Sequence, residues 1–473
     1  MERTVIRNGF VASQDPKLGD QDGMDVLIEA DEIVAVERSI QVADAHEIDA
    51  SGFIVMPGFV DAHKHIWQGA MRGVCADWSI LDYLTSIRMN AARFYAAEDM
   101  YAAHLHGGLE ALNAGVTTVT DYCHNILTPD HAHEAIRGVA ESGLRTIWNY
   151  GFNFPPSSSP FFRSLQQRVD FATELAGRYF TSRDNLVTLG IAPEEARFAG
   201  SEQALDTQID TARNLDARIF WHCNGTTVEP PREVAGLHER GKLGEDMLLV
   251  HMTGTEDDEW QMLADAGASV VFTPDTELQM GIGWPSNDKA RRYGVTQAYG
   301  TDIVSNNSAD MFATIRVGVQ AMRRRQIDRE GALPTGVPFS CQEALAWGTS
   351  EAAKAVGLDD RVGSIKPGKQ ADIILIDGTS LSMVGWDRHN VASAIVLQAQ
   401  SVDVDTVWVA GKLAKRHGTM LADTSRACGL LVEAKERIRE RVEAVGGFHI
   451  SPEEAQKRML AVSSTEHGEY DFS

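Results

Sequence analysis

Short apolar strands alternate with helical stretches eight times up to Asp302, and this rhythm constrains the fold more than any other feature of the chain. Each predicted strand is followed by a longer helical pattern, which is typical of parallel β/α units. The predicted strands are Phe59 to His63, Thr117 to Tyr122, Arg145 to Tyr150, Val187 to Ile191, Arg218 to His222, Met247 to His251, Ser269 to Thr273 and a short strand ending at Asp302. Eight such units predict an α/β fold, a distorted (β/α)8 TIM barrel, over residues 59–362.

Short β-like runs flank the predicted barrel on both sides. Val26–Ile28 and Ile33–Val36 precede it, and Ala371–Asp377 and Val404–Ala410 follow it. A chain of 473 residues is long enough for a barrel and a smaller companion domain. We therefore expect residues 1–58 and 363–425 to form one composite β-sandwich domain from both chain ends, and residues 426–473 to form a C-terminal helix and tail.

The charge balance argues against polyanionic partners. The chain has 43 Lys+Arg against 67 Asp+Glu, a formal net charge of −24, which repels nucleic acid and anionic membrane surfaces. The five cysteines are scattered without a paired motif, and no stretch approaches the roughly 18 apolar residues of a membrane span. These features predict a cytoplasmic protein that acts on a small molecule, with no nucleic-acid or membrane partner.

The first candidate site is the pair His63 and His65 at the end of the first barrel strand. Side chains at i and i+2 of a strand point to the same side, here toward the barrel mouth where barrel enzymes place their chemistry. By itself the pair fits a buried structural role equally well. His222, His251 and Asp302 also end later strands, and together the five residues predict a divalent metal site, because three imidazoles and one carboxylate suit Zn²⁺ or a similar ion.

Several motifs carry a family resemblance over nearly the whole chain. They are Pro57-Gly-Phe-Val-Asp61, the pair His63 and His65, His222, His251, Gly300-Thr-Asp302-Ile-Val-Ser-Asn-Asn-Ser308 and Gly363-Ser-Ile-Lys-Pro-Gly-Lys-Gln-Ala-Asp372. The sequence resembles the amidohydrolase superfamily, in particular its mononuclear cytosine deaminase and triazine hydrolase-like branch, and is also similar to molinate and phenylurea hydrolases.

The resemblance implies roles for individual residues. His63, His65, His222 and Asp302 are implied to bind one divalent ion, most simply Zn²⁺, with Fe²⁺, Mn²⁺ and Co²⁺ as alternatives. Asp302 is further implied to be the general base toward a metal-activated water, and His251 to polarise a carbonyl or shuttle a proton. The resemblance also implies a homo-oligomer, a dimer or larger.

Two departures from the family pattern shape the functional prediction. Binuclear members carry a carboxylated lysine at the end of strand 4, whereas residues 187–195 contain no lysine, so a single ion follows. Typical deaminases of this branch carry a glutamate three residues after the strand-5 histidine, where this chain has Gly225. The loss of that acid favours hydrolysis of a C–N or C–S bond in a small amide, urea or (thio)carbamate. Glu194 or Glu195 could supply the acid instead, which keeps deamination of an aminated nucleobase or triazine as the alternative.

The substrate pocket is predicted from residues that follow the strand ends. The predicted substrate-binding residues are Trp67, Gln68, His124, Glu194, Glu277 and Met280. A wider set of wall candidates is Trp78, Tyr83, Phe94, Trp148, Tyr150, Phe152, Phe154, Asp275, Thr276, Gln279 and Phe312. Lys64, by alternation, points away from the histidines and is interpreted as structural or salt-bridged. A non-catalytic binding protein is the third hypothesis, and it predicts that at least one ligand has been lost, whereas all four are present.

Overall fold

Two sheets organise the computed structural model, which describes residues 3–153, 160–196, 198–225, 232–451 and 453–454. The strands in chain order are β1 Arg3–Ala12, β2 Asp20–Glu29, β3 Glu32–Glu37, β4 His46–Asp49, β5 Phe53–Pro57, β6 Phe59–Lys64, β7 Val116–Cys123, β8 Arg145–Gly151, β9 Val187–Ala192, β10 Arg218–Cys223, β11 Met247–His251, β12 Ser269–Phe272, β13 Gln297–Tyr299, β14 Ile373–Asp377, β15 Val404–Val409, β16 Lys412–Arg416 and β17 Thr419–Met420.

Strands β6 to β13 form the barrel, each parallel to the next along the chain. Runs such as Leu248–Val250 are fully buried, as expected where a parallel sheet is covered on both faces. The first and last strands approach each other at Asp302, whose N–H donates to His63 O at 2.9 Å and whose carbonyl accepts from His65 N at 2.9 Å. The predicted TIM barrel is confirmed, and its closure places Asp302 beside both histidines.

Both chain ends contribute to the second sheet, as predicted. Strand β5 pairs antiparallel with β14, with Ile54 opposite Ile376, and parallel with β1, with Phe10 opposite Ile54. The sheet order is β17-β16-β15-β14-β5-β1-β2-β3, with β4 also paired to β1. The domain boundaries stated above stay a prediction.

A buried ion pair links the barrel to the second sheet. Arg145, at the start of β8, donates to Asp372 from Nε at 3.0 Å and from Nη2 at 2.8 Å. The same carboxylate accepts from Ala410 N at 2.8 Å. Because both charged groups are almost completely buried, each depends on the other for its polar contacts.

Helices cover the outside of the barrel and one end of it. In chain order they are α1 Ile80–Tyr83, α2 Ala97–Asn113, α3 Pro129–Ser142, α4 Leu165–Tyr179, α5 Glu202–Asn214, α6 Glu233–Glu239, α7 Asp257–Ala266, α8 Pro274–Gln279, α9 Asn287–Tyr293, α10 Met311–Glu330, α11 Cys341–Ala346, α12 Ser350–Ala355, α13 Val391–Leu397 and α14 Thr424–Glu443. Short 3₁₀ helices span Ile66–Met71, Ala91–Phe94 and Ser401–Asp403, and a π-helical turn spans Leu84–Arg88.

The C-terminal helix α14 packs on α2. Buried Asp99 of α2 accepts from Arg437 at 2.7 Å and lies 3.4 Å from Arg441, both on α14. Within the described ranges, no helix combines the length and hydropathy that crossing a bilayer requires.

Candidate metal centre

His65 lies directly after β6, and its ring orientation is set by a backbone acceptor. Its Nδ1 donates to Tyr122 O at 2.8 Å, which leaves Nε2 with a lone pair. That Nε2 lies 3.5 Å from Asp302 Oδ1. Burial, together with the neighbouring His63, holds the pKa of His65 well below its usual range, so the imidazole is neutral.

His222 is the penultimate residue of β10, and its ring faces the same point. Its Nδ1 donates to Glu195 Oε1 at 3.1 Å, and its Nε2 lies 3.3 Å from His63 Nε2. A carboxylate on the far nitrogen fixes the tautomer, as is usual for histidines that bind metals. Burial lowers the pKa of His222 to about 4, which again leaves a neutral ring with its lone pair on Nε2.

Asp302 completes the cluster after β13. Its Oδ1 lies 3.4 Å from His63 Nε2, and its backbone has φ +61°, in the left-handed region that non-glycine residues rarely adopt. The two hydrogen bonds with the backbones of His63 and His65 hold this conformation. Burial alone would raise the pKa of Asp302, but His63, His251 and His65 hold it well below the usual range, so the carboxylate is charged.

The distances between the possible ligand atoms test whether the cluster fits a metal. Bonds of about 2.0–2.1 Å in a tetrahedral zinc site place the ligand atoms about 3.3–3.4 Å apart. The observed separations are 3.3 Å between His63 and His222, 3.4 Å between His63 and Asp302, and 3.5 Å between His65 and Asp302. The nitrogens of the three histidines all lie within 4.8 Å of one another. Lone pairs and a carboxylate directed at one point repel each other without a cation, so the donor set fits a divalent ion.

His251 ends β11 and stacks on His222, with ring centroids 5.5 Å apart and planes 12° from parallel. Its Nδ1 lies 3.1 Å from Thr273 Oγ1 and 3.4 Å from Glu277 Oε1. Although burial opposes it, the hydrogen bond with Glu277 and the charge of Asp302 raise the pKa of His251. Its φ of +77° is strained for a side chain of this size, and such strain is concentrated at functional sites.

A cavity opens in front of the cluster. The empty space between its side chains, including the open mouth, is about 680 Å³. Its apolar wall and its polar groups come from different barrel segments. The wall residues are His65, Ile80, Tyr83, Leu84, Arg88, Glu195, Phe198, His222, Cys223, Gly225, Glu233, His251, Thr276, Ile282, Asp302 and Ile303.

Glu195 follows β9, and three side chains contact its carboxylate. His222 Nδ1 and Arg88 Nη1 each lie 3.1 Å from Oε1, and Asn153 Nδ2 donates to Oε2. Burial would raise the pKa of Glu195, but Arg88 and His222 hold it well below its usual range. Glu194 differs, because burial and the charge of Glu195 raise its pKa well above the usual range.

The structure places the six predicted substrate-binding residues behind the wall, and none of them is among the wall residues of the described chain. Trp67 is fully buried and donates from Nε1 to His124 Nδ1, and Gln68 Nε2 donates to Tyr83 Oη at 2.7 Å. Glu194, Glu277 and Met280 are buried as well. These buried side chains therefore pack behind the wall residues, and their role in substrate binding stays a prediction.

Only some of the wider set of wall candidates line the cavity in the described part of the chain. Tyr83 and Thr276 lie in the cavity wall, whereas Phe312 packs edge-on against Phe59 in the core. Phe154 lies outside the described residues. Sequence reasoning missed Arg88, on the π-helical turn, and Glu233, at the start of α6. A count of the acids that follow strand 5 would have found Glu233, whereas no sequence pattern indicated Arg88.

Comparison with known proteins identifies the family. A family model described as "Amidohydrolase family" matches residues 54–414. The chain belongs to this family. The resemblance inferred from the motifs is confirmed, and this amidohydrolase is a hydrolytic enzyme of the kind that acts on C–N bonds.

Several relatives and solved structures align with most of this amidohydrolase. A 5-methylthioadenosine/S-adenosylhomocysteine deaminase from Symbiobacterium thermophilum is 28% identical over 428 residues, covering 87% of this chain and 93% of the relative. A 5'-deoxyadenosine deaminase from Methanothermobacter thermautotrophicus is 27% identical, covering 84% and 90%. An adenosine deaminase structure from Xanthomonas campestris with bound zinc has 25% identity and a TM-score of 0.82, covering 92% and 98%. An atrazine chlorohydrolase from Arthrobacter aurescens, complexed with zinc, has a TM-score of 0.77 at 20% identity, covering 91% and 100%, and shares the fold.

Proposed function

We propose that this amidohydrolase removes an amino group from an aminated nitrogen heterocycle by hydrolysis, using one divalent ion, Zn²⁺. One observation carries the proposal: the cavity that faces the four-residue cluster has an apolar wall and, besides Asp302 of the cluster, two carboxyl groups, Glu195 and Glu233. A flat heterocycle needs apolar contact for its faces and polar partners at its ring nitrogens. The names of the relatives, deaminases of adenosine derivatives, support the same substrate class.

His63, His65, His222 and Asp302 would hold the ion, which when bound would lower the pKa of a water and so make it nucleophilic at neutral pH. Asp302 is charged and buried, and its carboxylate would take a proton from that water. His251 engages Thr273 and Glu277 through Nδ1, so Nε2 is the ring nitrogen left to donate a hydrogen bond to the group under attack. Glu195 accepts from Nδ1 of His222 and so keeps the lone pair of that ring on Nε2.

A second candidate function is hydrolysis of a small amide, urea or (thio)carbamate. Gly225 favours it, because the cavity wall has no acid at that position and an open-chain acyl substrate has no ring nitrogen that needs a proton. The two reactions differ in product. Deamination releases ammonia, whereas hydrolysis of a substituted amide, urea or thiocarbamate releases an organic amine or thiol.

The test is a substrate screen with both products measured. Zinc-loaded protein is incubated with adenosine, 5'-methylthioadenosine, 5'-deoxyadenosine and aminated triazines, and in parallel with amides, ureas and thiocarbamates. We expect ammonia from the heterocycles, with the ultraviolet change that accompanies conversion of an aminopurine to an oxopurine. Metal-stripped protein is the control. Release of organic amine or thiol without ammonia from any heterocycle would replace the first function by the second.

Four further properties belong to the proposal: the number of ions, the identity of the metal, the location and the oligomeric state. The single ion is supported by the lack of lysine in β9 and in the residues that follow it, up to Glu195. Metal analysis of the purified protein distinguishes Zn²⁺ from Fe²⁺, Mn²⁺ and Co²⁺. The cytoplasmic location and the homo-oligomer remain predictions, and light scattering checks the second.

A further inference from the structure

Glu194 and Glu195, the two carboxyl groups that the sequence suggests as substitutes for the acid missing at position 225, are already engaged. Glu195 binds His222 and Arg88 through Oε1 and Asn153 through Oε2. Glu194 accepts from Asn153 Nδ2 at 2.6 Å and lies behind the cavity wall. Glu195 therefore orients His222 from the cavity wall, and Glu194 is not among the wall residues of the described chain.

Glu233 occupies a different position. It is the first residue of α6, and its side chain belongs to the cavity wall together with His222 and Gly225. Its Oε2 accepts from Asn224 N at 2.5 Å, and its own N–H donates to Asn224 Oδ1 at 3.0 Å. These reciprocal bonds hold the Glu233 carboxyl against the backbone that precedes Gly225. The carboxyl thus lies beside the position from which the usual glutamate would extend.

We propose that Glu233 is a further catalytic residue, which relays a proton to the ring nitrogen next to the carbon that bears the amino group. The inference rests on the proposed deaminase function. As the water oxygen bonds to that carbon, the C=N π pair moves to the ring nitrogen, and Glu233 takes one proton from the water and delivers it to this nitrogen. Asp302 takes the second water proton and passes it to the amino group, the C–N bond breaks with its electron pair on nitrogen, and ammonia leaves. The product is the ring carbonyl with an N–H beside it, so all atoms balance.

Substitution Glu233→Gln separates this role from a structural one. The amide oxygen of the introduced glutamine can still accept from Asn224 N, so the reciprocal hydrogen bonds survive while the proton relay is lost. We expect ammonia release to fall by about 10²- to 10⁴-fold, the usual contribution of general acid–base catalysis. Metal content and melting temperature should not change. The matched control is Glu202→Gln, because Glu202 is also the first residue of a helix but pairs with Arg240 on the exposed surface. It should react at the wild-type rate.

The second part of the test asks whether a new carboxyl group restores the rate that Glu233→Gln loses. A Cβ at Gly225 would lie 3.6 Å from the His251 ring, an ordinary contact, so a side chain can be added there. Adding Gly225→Glu to Glu233→Gln should restore at least about tenfold of the lost rate if the two carboxyls do the same work. An unchanged rate in folded, metal-loaded Glu233→Gln, or a loss that Gly225→Glu does not restore, overturns the role of Glu233 alone. If the wild-type protein releases no ammonia from any heterocycle, the proposed function and this inference both fall.

Discussion

Gly300 makes the close approach of the last barrel segment to β6 sterically feasible. A Cβ built on Gly300 would lie 2.7 Å from the backbone N and O of His63 and 2.8 Å from its Cβ. Atoms at those distances must separate by about 0.7 Å to reach ordinary contact, and two of the three belong to backbone that cannot rotate away. The substitution Gly300→Ala therefore pushes the two segments apart next to Asp302.

The size of the effect follows from that displacement. Overpacking of this kind costs about 1–3 kcal/mol of folding free energy. Misplacement of a reacting group by about 1 Å can cost about 10²-fold in rate, so a shift of about 0.7 Å predicts a loss on the order of ten- to a hundredfold. Because Asp302 Oδ1 lies only 3.4 Å from His63 Nε2, the ion should also bind about 10- to 100-fold more weakly.

Three measurements check the prediction for Gly300→Ala: metal affinity by competition with a chelator, the melting temperature with and without zinc, and the rate of product release. Two alanine substitutions serve as controls. Gly177→Ala, in α4, meets no atom within 4 Å and should be neutral or slightly stabilising. Gly225→Ala adds a methyl group inside the cavity at an ordinary distance and should leave metal affinity unchanged. Wild-type metal affinity and rate in Gly300→Ala would refute the steric argument.

Three further substitutions, one of them a control, and one treatment test the centre and the domain junction. His222→Ala should remove both the bound metal and the activity, as measured by elemental analysis and product assay, and retention of either would contradict its assignment as a ligand. Chelation of the metal should lower the melting temperature, with recovery on adding zinc, since an ion that binds only the folded state stabilises it. Arg145→Met should cost about 3–5 kcal/mol in urea unfolding because it leaves Asp372 charged and buried. Arg183→Met, which breaks the exposed pair with Asp360, should cost less than about 1 kcal/mol, and equal losses would refute the burial argument.

The fold and the metal-binding cluster were predictable because both depend on local patterns. The barrel strands are short segments that contain buried apolar residues, and parallel strands place their C-terminal ends on one face. His63, His65, His222, His251 and Asp302 could therefore be grouped from their positions at strand ends, whereas the family resemblance was needed to single out the four implied ligands. The structure brings those four within a few ångströms of one another.

The cavity wall was not predictable in the same way. Trp67 and Gln68 follow a predicted ligand in sequence, but the 3₁₀ helix that carries them directs both side chains into the core. Arg88 reaches the cavity from a π-helical turn, which has no sequence signature. Glu233 lies 11 residues after His222, and only the fold of the described residues shows that its carboxyl returns to the strand end. Side-chain direction in irregular segments depends on tertiary packing, which periodicity does not encode.

Lys64 lies between the two proposed ligands His63 and His65 and contacts other groups. Its buried Nζ donates to Thr301 Oγ1 at 3.1 Å and lies 3.9 Å from Asp61 Oδ2, while Asp61 accepts from Thr301 N at 2.9 Å. This triad joins β6 to the peptide before Asp302. Burial already raises the pKa of Asp61, and Lys64 opposes that rise.

Lys64→Met would leave Asp61 buried without its cation, at a cost of about 3–5 kcal/mol in unfolding free energy. The double variant Lys64→Met with Asp61→Asn removes both charges and should recover part of that loss, because a buried pair replaced as a whole costs less than one broken. If Lys64→Met unfolds like the wild type, or if the double variant is less stable than Lys64→Met, the triad does not hold the two metal-binding segments together by charge.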